Sequence, residues 1–360
     1  MKALIAAGGR ATRLRPITWT LNKHLIPLAN KPMLWHVIDK ITEAGIKDII
    51  INVNIGEVEV MREAFGDGSH WDAKITYLEQ RGGAKGVAHV VANAEEQLKG
   101  EKFLYFLGDN IVLGSIKKFV DRFLEEDLDC MIALSHVKDP ERFGVPEFHE
   151  DGTLKQTVEK PENPPSPYAV TGIYLFDEKY FEAFKTVEPS ARGEYEITDV
   201  ITWYIKNGKA GYEEITGWWK DTGCVEALLE GNALTMDDTN KAHYTWESEP
   251  HKEAQVQGPV KIGKNVTIAK DCLIRGPVTI GDNCVIEGSY IGPYTSIGNE
   301  CVIKKSEVEH SILFPGVEVN THKRIIDSIL GENAKILDRY QTHPKSGNRM
   351  VVGANGHVEL

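Results

Sequence analysis

The chain has 360 residues and carries 41 Lys and Arg against 53 Asp and Glu, for a formal net charge of −12. This length exceeds what one hydrophobic core usually serves, so we expect two domains. The acidic balance disfavours binding to a nucleic acid polymer or an anionic membrane, so an anionic ligand must meet a local positive site.

The five cysteines and the apolar runs bear on the compartment. The cysteines are odd in number and show no CxxC spacing, which indicates neither a disulfide framework nor a zinc site. No segment approaches the ~20 apolar residues that a membrane span needs, and the first apolar run is too short for a signal peptide. We therefore expect a cytoplasmic protein.

Residues 1–235 alternate short apolar runs with amphipathic stretches. The alternation is typical of strands and helices in turn, as in "KALIAA", "PMLWHVIDKITEAG", "DIIINVN", "GVAHVVANAEEQL" and "KFLYFLGD". It predicts an α/β domain with a Rossmann-like, doubly wound mixed sheet. Residues 236–255 are charged and poor in aliphatic side chains, which indicates a linker.

Isoleucines recur at intervals of six beyond the linker. One aliphatic side chain per six residues predicts a solenoid of parallel strands with three flat faces to a coil. Cys272, Cys284 and Cys301 each precede such an isoleucine by two, so we interpret them as small core side chains. We place the solenoid at 256–345 and a tail at 346–360, although the period is lost from Arg324 onward. The isoleucines are Ile262, Ile268, Ile274, Ile280 and Ile286, then, after a one-residue slip, Ile291, Ile297 and Ile303.

A glycine-rich loop with positive charge follows the first predicted strand, in "AAGGRATRLRPIT". Gly8 and Gly9 let the backbone approach a ligand, and successive N–H groups form a nest for phosphate oxygens. Arg13 supplies a bidentate fork for a polyphosphate, and Lys23 follows ten residues later. Open α/β sheets bind ligands where such strands end, so we interpret the loop as a phosphate site.

Two carboxylates follow other predicted strands, Asp109 in "YFLGDN" and Asp221 in "GWWKDTG". Aspartates after strands are commonly solvated caps. Together, however, two carboxylates can hold one divalent cation against phosphate groups, as hard oxygen ligands do. The pair therefore indicates a candidate metal site.

The motifs taken in order resemble those of the sugar-1-phosphate nucleotidyltransferases. They are "AAGGRATRLRPIT", "NKHLIPLANKP", "LGDN", "FGV", "EKP", "AVTGIY", "RGEYEITD" and "WWKDTG". The resemblance is greatest to the long members of the family, which carry a C-terminal left-handed β-helix of hexapeptide repeats. It covers essentially the whole chain, including "GPYTSIG" and "VEHSIL" in the repeats.

The resemblance implies attack of glucose 1-phosphate on the α-phosphorus of dTTP, giving dTDP-glucose and pyrophosphate with Mg²⁺ as cofactor. The nucleophile is a phosphate with a second pKa of about 6, so it is charged at neutral pH and needs no general base. Catalysis then rests on positioning and charge neutralisation.

The resemblance also implies roles for individual residues. The implied catalytic residues are Arg13 on the leaving pyrophosphate, Lys23 on the nucleotide phosphates, Lys160 beside the sugar phosphate, and Asp109 and Asp221 on Mg²⁺. The implied nucleotide contacts are Ala6, Gly8, Gly9, Ala11, Thr12, Arg13, Gln80 and Gly86. The implied sugar contacts are Asn110, Gly144, Glu159, Lys160 and Val170.

The choice of base is expected to rest on "EQRGGAKGVAHVV". The Gln80 amide can donate to a carbonyl and accept from the N3–H of a pyrimidine, which favours thymine or uracil over cytosine. A methyl group is worth only about 1–3 kcal/mol in a pocket, so UTP is an alternative to dTTP.

The chain departs from the family pattern at several positions. Alanine stands at Ala11 where glycine is usual, and a positive φ there would strain the loop by about 1 kcal/mol. Lys85 and Val87 replace residues that are commonly leucine, and Pro146 interrupts the usual continuation of "FGV". His24 beside Lys23 is also unusual, and we interpret it as structural.

Two other functions are open on the sequence. Hexapeptide solenoids often host acyltransferases, and His310 in "VEHSIL" is the candidate base for acetylation of an amino-sugar phosphate. The alternative from another class is a catalytically silent regulatory or scaffold subunit, since fold alone never guarantees activity. We expect the solenoid to support a homo-oligomer, because its flat faces offer broad surfaces.

Overall fold

The computed structural model describes residues 1–215, 217–239 and 244–338. It divides into two compact units, of which the first comprises Met1–Arg10 with Met33–Asp221 and the second Ala11–Pro32 with Thr222–Leu360. The predicted tail at 346–360, the last residues of the predicted solenoid at 339–345 and part of the predicted linker at 240–243 lie outside the described residues. The predicted domain boundaries at 235, 255 and 345 stay predictions.

Strands and helices alternate along the first two thirds of the chain. The strands are β1 (Lys2–Ala6), β2 (Pro27–Leu28), β3 (Lys31–Pro32), β4 (Asp48–Val53), β5 (Lys74–Glu79), β6 (Phe103–Leu107), β7 (Asn110–Val112), β8 (Cys130–His136), β9 (Gly144–Phe148), β10 (Leu154–Glu159), β11 (Tyr168–Phe176), β12 (Ala210–Glu214) and β13 (Trp219–Asp221). The helices are α1 (Met33–Glu43), α2 (Val58–Phe65), α3 (Val87–Asn93), α4 (Glu95–Leu98), α5 (Lys117–Glu125), α6 (Tyr180–Phe184), α7 (Ile197–Asn207) and α8 (Val225–Thr239).

The first unit is built on a nine-stranded sheet with the order β10-β9-β11-β6-β1-β4-β5, to which β8 is added beside β11 and β12 beside β8. Strands β6, β1, β4 and β5 run parallel, as do β8 and β12. Strand β11 runs antiparallel to β6, β8 and β9. The Rossmann-like mixed sheet predicted from the sequence is therefore confirmed.

Apolar patterning explains why these segments pack as they do. Strand β1 buries Ala3, Leu4 and Ile5, and α1 buries Met33, Val37 and Ile41, which share one face of a helix. Among the described residues, no helix is both long and apolar enough to cross a membrane.

The parallel strands determine where the polar side chains gather. Strands β1, β4, β5 and β6 all end at the same edge of the sheet. Ala6, Asn52, Gln80 and Asp109 lie at or just beyond those ends. The loops at this carboxyl edge are where an open α/β sheet receives a ligand.

The C-terminal part of the second unit is a parallel β-helix whose left-handed form is that of hexapeptide repeats. One face consists of β14 (Gln255–Gln257), β17 (Leu273–Arg275), β20 (Tyr290–Ile291), β23 (Glu307–Glu309) and β26 (Arg324–Ile326). The second consists of β15 (Val260–Ile262), β18 (Val278–Ile280), β21 (Thr295–Ile297), β24 (Ile312–Leu313) and β27 (Ile329–Leu330). The third consists of β16 (Thr267–Ile268), β19 (Val285–Glu287), β22 (Val302–Lys304), β25 (Glu318–Asn320) and β28 (Lys335–Leu337).

The predicted isoleucine register is confirmed, because every one of those isoleucines is buried in a single core. Cys272, Cys284 and Cys301 are buried in the same core, as expected of small filler side chains. The coils continue past Arg324, where the sequence loses its period. There Ile325, Leu330 and Ile336 pack against the core, with a step of five residues from Ile325 to Leu330 and of six from Leu330 to Ile336.

A buried asparagine joins three segments of the second unit. The Asn232 amide in α8 accepts hydrogen bonds from the Ala29 N–H (2.9 Å) and the Ser296 hydroxyl (2.5 Å), and it donates to the Tyr294 carbonyl (3.0 Å). The β2–β3 hairpin is also held by Asn30, whose Nδ2 donates to the Ile297 carbonyl (2.7 Å). The hairpin, α8 and the β-helix are thus connected by polar contacts inside one unit.

Candidate active site

A cavity of about 700 Å³ opens at the carboxyl edge of the sheet, and the first unit supplies its lining. It gathers sequence-predicted residues from seven strands and their loops. These are Ala6, Gly8, Gly9, Gln80, Gly86, Asn110, Gly144, Glu159, Lys160, Val170 and Asp221. Ala11, Thr12, Arg13 and Lys23 belong to the second unit, so their roles stay predictions.

The lining of the cavity includes both basic and acidic side chains. The basic ones are Arg10, Lys85, Arg142, Lys160 and Arg192, and the acidic ones are Glu159, Glu194, Glu196 and Asp221. Cations in a concave, low-dielectric site attract anions far more strongly than the same charges do on a flat surface.

The glycine loop after β1 is held open by a neighbouring asparagine. Asn54 Oδ1 accepts a hydrogen bond from the Gly9 N–H (2.9 Å), and Asn54 Nδ2 donates to Glu57 (2.9 Å). A Cβ on Gly8 would lie 3.1 Å from Asn54 Oδ1, and Gly9 has a φ of +104°. Glycine is therefore needed here for both close approach and backbone conformation.

Ala11, the departure from the family pattern, adopts the left-handed conformation with φ 41° and ψ 49°. Its carbonyl accepts hydrogen bonds from the Leu14 N–H (3.0 Å) and the Thr18 hydroxyl (2.8 Å). The sequence left open whether this position needs a positive φ, and the structure shows that it does. Alanine bears a steric strain there that glycine would avoid.

Gln80, the predicted base contact, sits in a chain of hydrogen bonds. Its Oε1 accepts from Asn52 Nδ2 (3.0 Å), and its Nε2 lies 2.9 Å from His89 Nδ1. Burial, followed by the positive charge of Lys85, lowers the pKa of His89. His89 is therefore neutral at neutral pH, which lets Nδ1 accept the hydrogen bond from Gln80.

Gly86 begins the helix that covers this end of the cavity. Its φ is +94°, and a Cβ would lie 2.6 Å from the Tyr195 carbonyl oxygen. The Tyr195 N–H donates to the Lys85 carbonyl (2.8 Å), so the two segments are in backbone contact. Only glycine fits at this position without displacing the backbone.

The two predicted metal carboxylates are neighbours in the structure. Asp221 in β13 is the direct partner of Asn110 in β7, and Asp109 precedes Asn110 in the chain. Asn110 is buried, with Nδ2 donating to Asp109 Oδ1 (2.9 Å) and Oδ1 accepting from Trp219 Nε1 (2.7 Å). The Asn110 side chain therefore holds Asp109 from one side while its backbone is paired with Asp221.

The chemistry of this pair fits Mg²⁺. Mg²⁺ is usually bound by one or two carboxylates, with substrate phosphates and water completing the shell. Across the described ranges, no cluster of three or more His, Cys, Asp and Glu side chains could hold a metal alone. A site that draws its other ligands from a bound polyphosphate is consistent with that finding.

The predicted sugar contacts form a row across three adjacent strands. Glu159 in β10 pairs with Gly144 in β9, which in turn pairs with Val170 in β11. A Cβ on Gly144 would lie 2.7 Å from Thr198 and 3.4 Å from Glu159 Oε2. Because Gly144 has no side chain, the backbone beside the Glu159 carboxylate is not covered by one.

Arg192 contacts two acidic side chains at this row. Its Nη2 contacts Glu196 Oε1 at 2.9 Å and Glu159 Oε1 at 3.3 Å, while Lys160 Nζ lies 3.6 Å from the same Glu159 oxygen. Burial raises the pKa of Glu159, and the charges of Lys160 and Arg192 oppose that shift. The nearby charge of Glu196 adds to the effect of burial, so the net shift of the Glu159 pKa is upward.

Several lining residues were missed from the sequence, namely Asn52, Asn54, Arg142, Arg192 and Trp219. Arg192 was part of "RGEYEITD", a motif used only for the resemblance, and its charge was the available signal. Asn52 was visible as a polar residue inside the apolar strand "DIIINVN". Nothing in the sequence indicated which cavity it lines.

A mixed α/β sheet with a glycine-rich loop and a cavity at its carboxyl edge, followed in the chain by a hexapeptide β-helix, is the architecture of a nucleotide-dependent transferase. A model of the nucleotidyl transferase family matches residues 2–238. A model of the bacterial transferase hexapeptide repeat matches residues 259–289, and one of the GMPPB C-terminal domain matches residues 276–359. The chain belongs to the nucleotidyl transferase family and is of the sugar-1-phosphate type.

Relatives cover the whole chain. The low-salt glycan biosynthesis nucleotidyltransferase Agl11 of Haloferax volcanii is 37% identical over 362 residues, covering 100% of each chain. A glucose-1-phosphate thymidylyltransferase of Streptomyces antibioticus is 39% identical over 363 residues, covering 100% of this chain and 99% of that protein. A Bacillus anthracis crystal structure assigned as a glucose-1-phosphate thymidylyltransferase, in complex with sucrose, matches with 39% identity and a TM-score of 0.62. It covers 65% of this chain and 94% of its own.

Proposed function

We propose that the protein transfers a thymidylyl group, converting dTTP and glucose 1-phosphate to dTDP-glucose and pyrophosphate. The observation that carries the proposal is the single cavity lined by Gln80, by Asp221 and by the pair Glu159 and Lys160. Base, metal and sugar recognition can all take place in one such cleft. The similar Streptomyces antibioticus protein named for this activity supports the choice.

The proposed chemistry needs no general base. The sugar phosphate oxygen attacks the α-phosphorus in line, the bond to the bridging oxygen breaks, and pyrophosphate leaves with that electron pair. Lys160 neutralises the attacking phosphate, and Glu159 accepts hydrogen bonds from the sugar hydroxyls beside Gly144, Val170 and Asn110. In the second unit, Arg13 binds the leaving pyrophosphate and Lys23 the nucleotide phosphates.

The nucleotide is proposed to lie along the glycine loop. Its phosphates lie against the loop that contains Gly8, Gly9, Ala11 and Thr12, and its base lies near Ala6, Gln80 and Gly86. Asp109 and Asp221 would hold Mg²⁺, which supplies charge neutralisation at the phosphates when bound. The residues of the chain therefore bring two anions together and keep them aligned.

Selection between dTTP and UTP rests on the thymine methyl group. A methyl group in a fitted pocket changes specificity by about 1–3 kcal/mol, so UTP is proposed as a slower second substrate. Lys85 and Val87 line the cavity at positions where leucine is usual in the family. We expect those two replacements to affect chiefly the ratio of kcat/KM for dTTP to kcat/KM for UTP.

A second activity is favoured by a contact in the β-helix. His310 Nδ1 lies 2.6 Å from Asp327 Oδ1, and the imidazole is 35% exposed. A carboxylate that orients an accessible histidine is the arrangement of a general base. Acetyl transfer from acetyl-CoA to an amino-sugar phosphate is therefore the second candidate, and release of free CoA thiol tests it.

The β-helix is also proposed to hold the protein in a homo-oligomer. Its three flat sheets offer the kind of surface on which identical chains associate with closed symmetry. Light scattering on the purified protein gives the mass in solution. A monomer across the micromolar range would contradict this proposal.

The decisive experiment follows pyrophosphate release from glucose 1-phosphate, Mg²⁺ and either dTTP or UTP. We expect metal-dependent release that EDTA stops and that Asp109→Asn reduces strongly, with dTTP preferred. No release with any sugar phosphate, together with measurable dTTP binding, would contradict the proposal and favour the silent scaffold.

A further inference from the structure

The Gln80 amide is held at both of its ends by neighbouring side chains. Its Oε1 accepts a hydrogen bond from Asn52 Nδ2 at 3.0 Å, and its Nε2 lies 2.9 Å from His89 Nδ1. Gln80 itself is half-buried and lines the cavity. The amide is therefore restrained by two partners while it remains part of the cavity wall.

The two contacts leave a defined hydrogen-bonding capacity on Gln80. An amide oxygen has two lone pairs and an amide nitrogen has two hydrogens, so one acceptor site and one donor site remain. The remaining hydrogen makes only a long contact of 3.4 Å with the Arg81 carbonyl. One acceptor beside one donor matches the N3–H and a flanking carbonyl of thymine or uracil.

The orientation of the amide decides which base it matches. A half rotation exchanges the positions of its oxygen and nitrogen, and the exchanged pair matches N3 and the 4-amino group of cytosine. Asn52 cannot fix the orientation, because its own amide can turn to offer Gln80 either a donor or an acceptor. His89 can fix it, because Nδ1 is an acceptor when the neutral ring carries its proton on Nε2 and a donor in the imidazolium.

The surroundings of His89 favour the neutral ring. Its imidazole stacks on Tyr195 at 6.1 Å between ring centroids and lies 6.4 Å from the Phe184 ring. A Cβ on Gly82 would lie 3.4 Å from His89 Cε1 and 3.7 Å from Lys85 Nζ, so the ammonium group is near the imidazole. Among the described residues in contact with it, Lys85 and Tyr195 are the titratable ones. Burial, followed by the charge of Lys85, lowers the pKa of His89.

We propose that His89 is a positioning residue that fixes the orientation of the Gln80 amide and so sets the preference for thymine or uracil over cytosine. This rests on the proposed function, in that the cavity is taken to hold a nucleotide with its base near Gln80. His89 is not among the described residues that line the cavity, so it acts through Gln80. Because the imidazolium donates from Nδ1, the amide reverses and the preference is lost once His89 is protonated.

The test uses three substitutions that differ in what they offer to Gln80. His89→Leu removes the acceptor. His89→Asp supplies an acceptor only, whereas His89→Asn has the same shape but can turn to offer either a donor or an acceptor. For each protein, kcat/KM is measured with dTTP, UTP and CTP between about pH 5 and about pH 8, and nucleotide dissociation constants are measured without sugar phosphate.

The matched control is Asn93→Ala. Asn93 lies on the same helix as His89 and holds the same loop, with Oδ1 accepting from the Arg81 N–H (3.1 Å) and Nδ2 donating to the Glu79 carbonyl (3.0 Å). Any loss caused by general disturbance of the loop should be shared by all three nucleotides. Asn93→Ala should therefore keep the wild-type ratio of kcat/KM for dTTP to kcat/KM for CTP.

We expect the wild-type ratio to be constant above the lowered pKa of His89 and to fall at least about 10-fold as the pH drops through it. Phosphate titration is common to both nucleotides and cancels in the ratio. At neutral pH, His89→Leu and His89→Asn should lower the ratio by about 10-fold, and His89→Asp should keep it within about 3-fold. The acid loss should be absent in His89→Asp.

Three results would overturn the role of His89. They are a ratio that His89→Leu leaves unchanged, an equal loss in His89→Asp and His89→Asn, and an acid loss that persists in His89→Asp. A wild-type preference for CTP would overturn it as well, since the amide would then have the reverse orientation.

The same measurements separate this inference from the proposed function. If no transfer occurs but dTTP binds more tightly than CTP in the wild type and His89→Asp and not in His89→Leu, the role of His89 stands without the activity. If thymidylyl transfer occurs with a ratio that His89→Leu leaves unchanged, the proposed function stands and the inference fails. Absence of nucleotide binding would overturn both.

Discussion

Asn110 and Asp221 are direct partners across the antiparallel pair of β7 and β13. This pairing joins two segments more than a hundred residues apart and brings Asp221 next to Asp109, which precedes Asn110. The Asn110 side chain donates to Asp109 and accepts from Trp219 and the Gly172 N–H. The carboxylate pair is therefore built into rigid structure on both sides.

The first prediction concerns this pair. Asp109→Asn and Asp221→Asn remove one negative charge each at nearly constant shape, so we expect kcat to fall by about 100- to 1000-fold with little change in stability. The concentration of Mg²⁺ needed for half-maximal rate should rise in both variants. Steady-state pyrophosphate release across a Mg²⁺ titration measures both effects.

Asp121→Asn is the matched control for these two variants. Asp121 pairs with Lys117 at 2.7 Å on the exposed face of α5. Surface pairs of this kind contribute little, so both the rate and the Mg²⁺ dependence should stay at the wild-type values. A comparable loss of rate in Asp121→Asn would show that the assay reports general damage.

The second prediction concerns the left-handed conformation of Ala11. Ala11→Gly relieves the steric cost of φ 41°, partly offset by the greater flexibility of glycine in the unfolded chain. We expect the free energy of unfolding to rise by up to about 1 kcal/mol, with nucleotide affinity retained. Urea denaturation measures the change. Ala94→Gly, at a φ of −98°, should instead lose stability, and a loss at both positions would refute the strain.

The third prediction is a pH dependence that comes from Glu159. Burial raises its pKa above the ordinary glutamate value, and the charged form is the one that accepts hydrogen bonds from a sugar. Affinity for the sugar phosphate should therefore be complete above this raised pKa and be lost as the pH falls through it. The pKa is measured from the acid limb of the pH profile, where kcat/KM for the sugar phosphate falls as the pH is lowered.

Arg192→Gln should move that acid limb to higher pH. The charge of Arg192 opposes the effect of burial on Glu159, so its removal raises the pKa further. Titration of the sugar phosphate itself is common to both enzymes and cancels in the comparison. A limb that stays in place, or moves to lower pH, would show that Glu159 does not control sugar binding.

The fourth prediction distinguishes backbone strain from steric contact at Gly86. Gly86→Ala places a methyl group 2.6 Å from the Tyr195 carbonyl at a φ of +94°, so we expect nucleotide affinity to fall at least about 10-fold. Gly100→Ala has a similar φ of +77° with nothing within 4 Å, and should show the backbone strain alone. Equal effects of the two substitutions on nucleotide binding would argue against close packing at Gly86.

The fifth prediction concerns the buried amide of Asn232. Asn232→Leu leaves the Ala29 N–H and the Tyr294 carbonyl without their partner, so we expect a loss of at least about 2 kcal/mol in the free energy of unfolding. Thermal unfolding of the second unit measures it. Asn207→Ala, at an exposed helix end, should change stability by less than about 0.5 kcal/mol.

The β-helix was predictable because its core demands one aliphatic side chain per face. That demand produces a period of six, which Ile262 to Ile303 display. Beyond Ile303 the inward residues Val308 and Leu313 follow at steps of five, because the turns between faces are shorter. A search for a fixed period of six is therefore interrupted here, although Val319 and Ile325, and Leu330 and Ile336, are again six residues apart.

The sequence predicts the fold class of the sheet but not the order and direction of its strands. "YAVTGIYLFD" indicates a buried strand, yet nothing in it shows that β11 runs antiparallel between β6 and β8. The assignment of Ala11–Pro32 to the second unit was likewise unexpected. It follows from long-range contacts such as that of Ala29 with Asn232, which no local pattern reveals.

A motif that carries its own chemistry predicts where the candidate site lies, and the roles of its residues stay predictions. Glycines before basic residues and aspartates after strands point to phosphates and a cation, and the cavity lies where those strands end. Asn52 and His89 could not be placed in this way, because their role depends on the partners that three-dimensional packing provides.

The most direct measurement of the central claim is a competition in one tube. Glucose 1-phosphate and Mg²⁺ are incubated with equal concentrations of dTTP, UTP, GTP, CTP and ATP, and the nucleotide sugars formed are quantified by mass spectrometry at low conversion. Product ratios then equal ratios of kcat/KM. We predict dTDP-glucose as the main product with UDP-glucose second, whereas GDP-glucose, CDP-glucose or ADP-glucose as the main product, or no nucleotide sugar at all, would contradict the account.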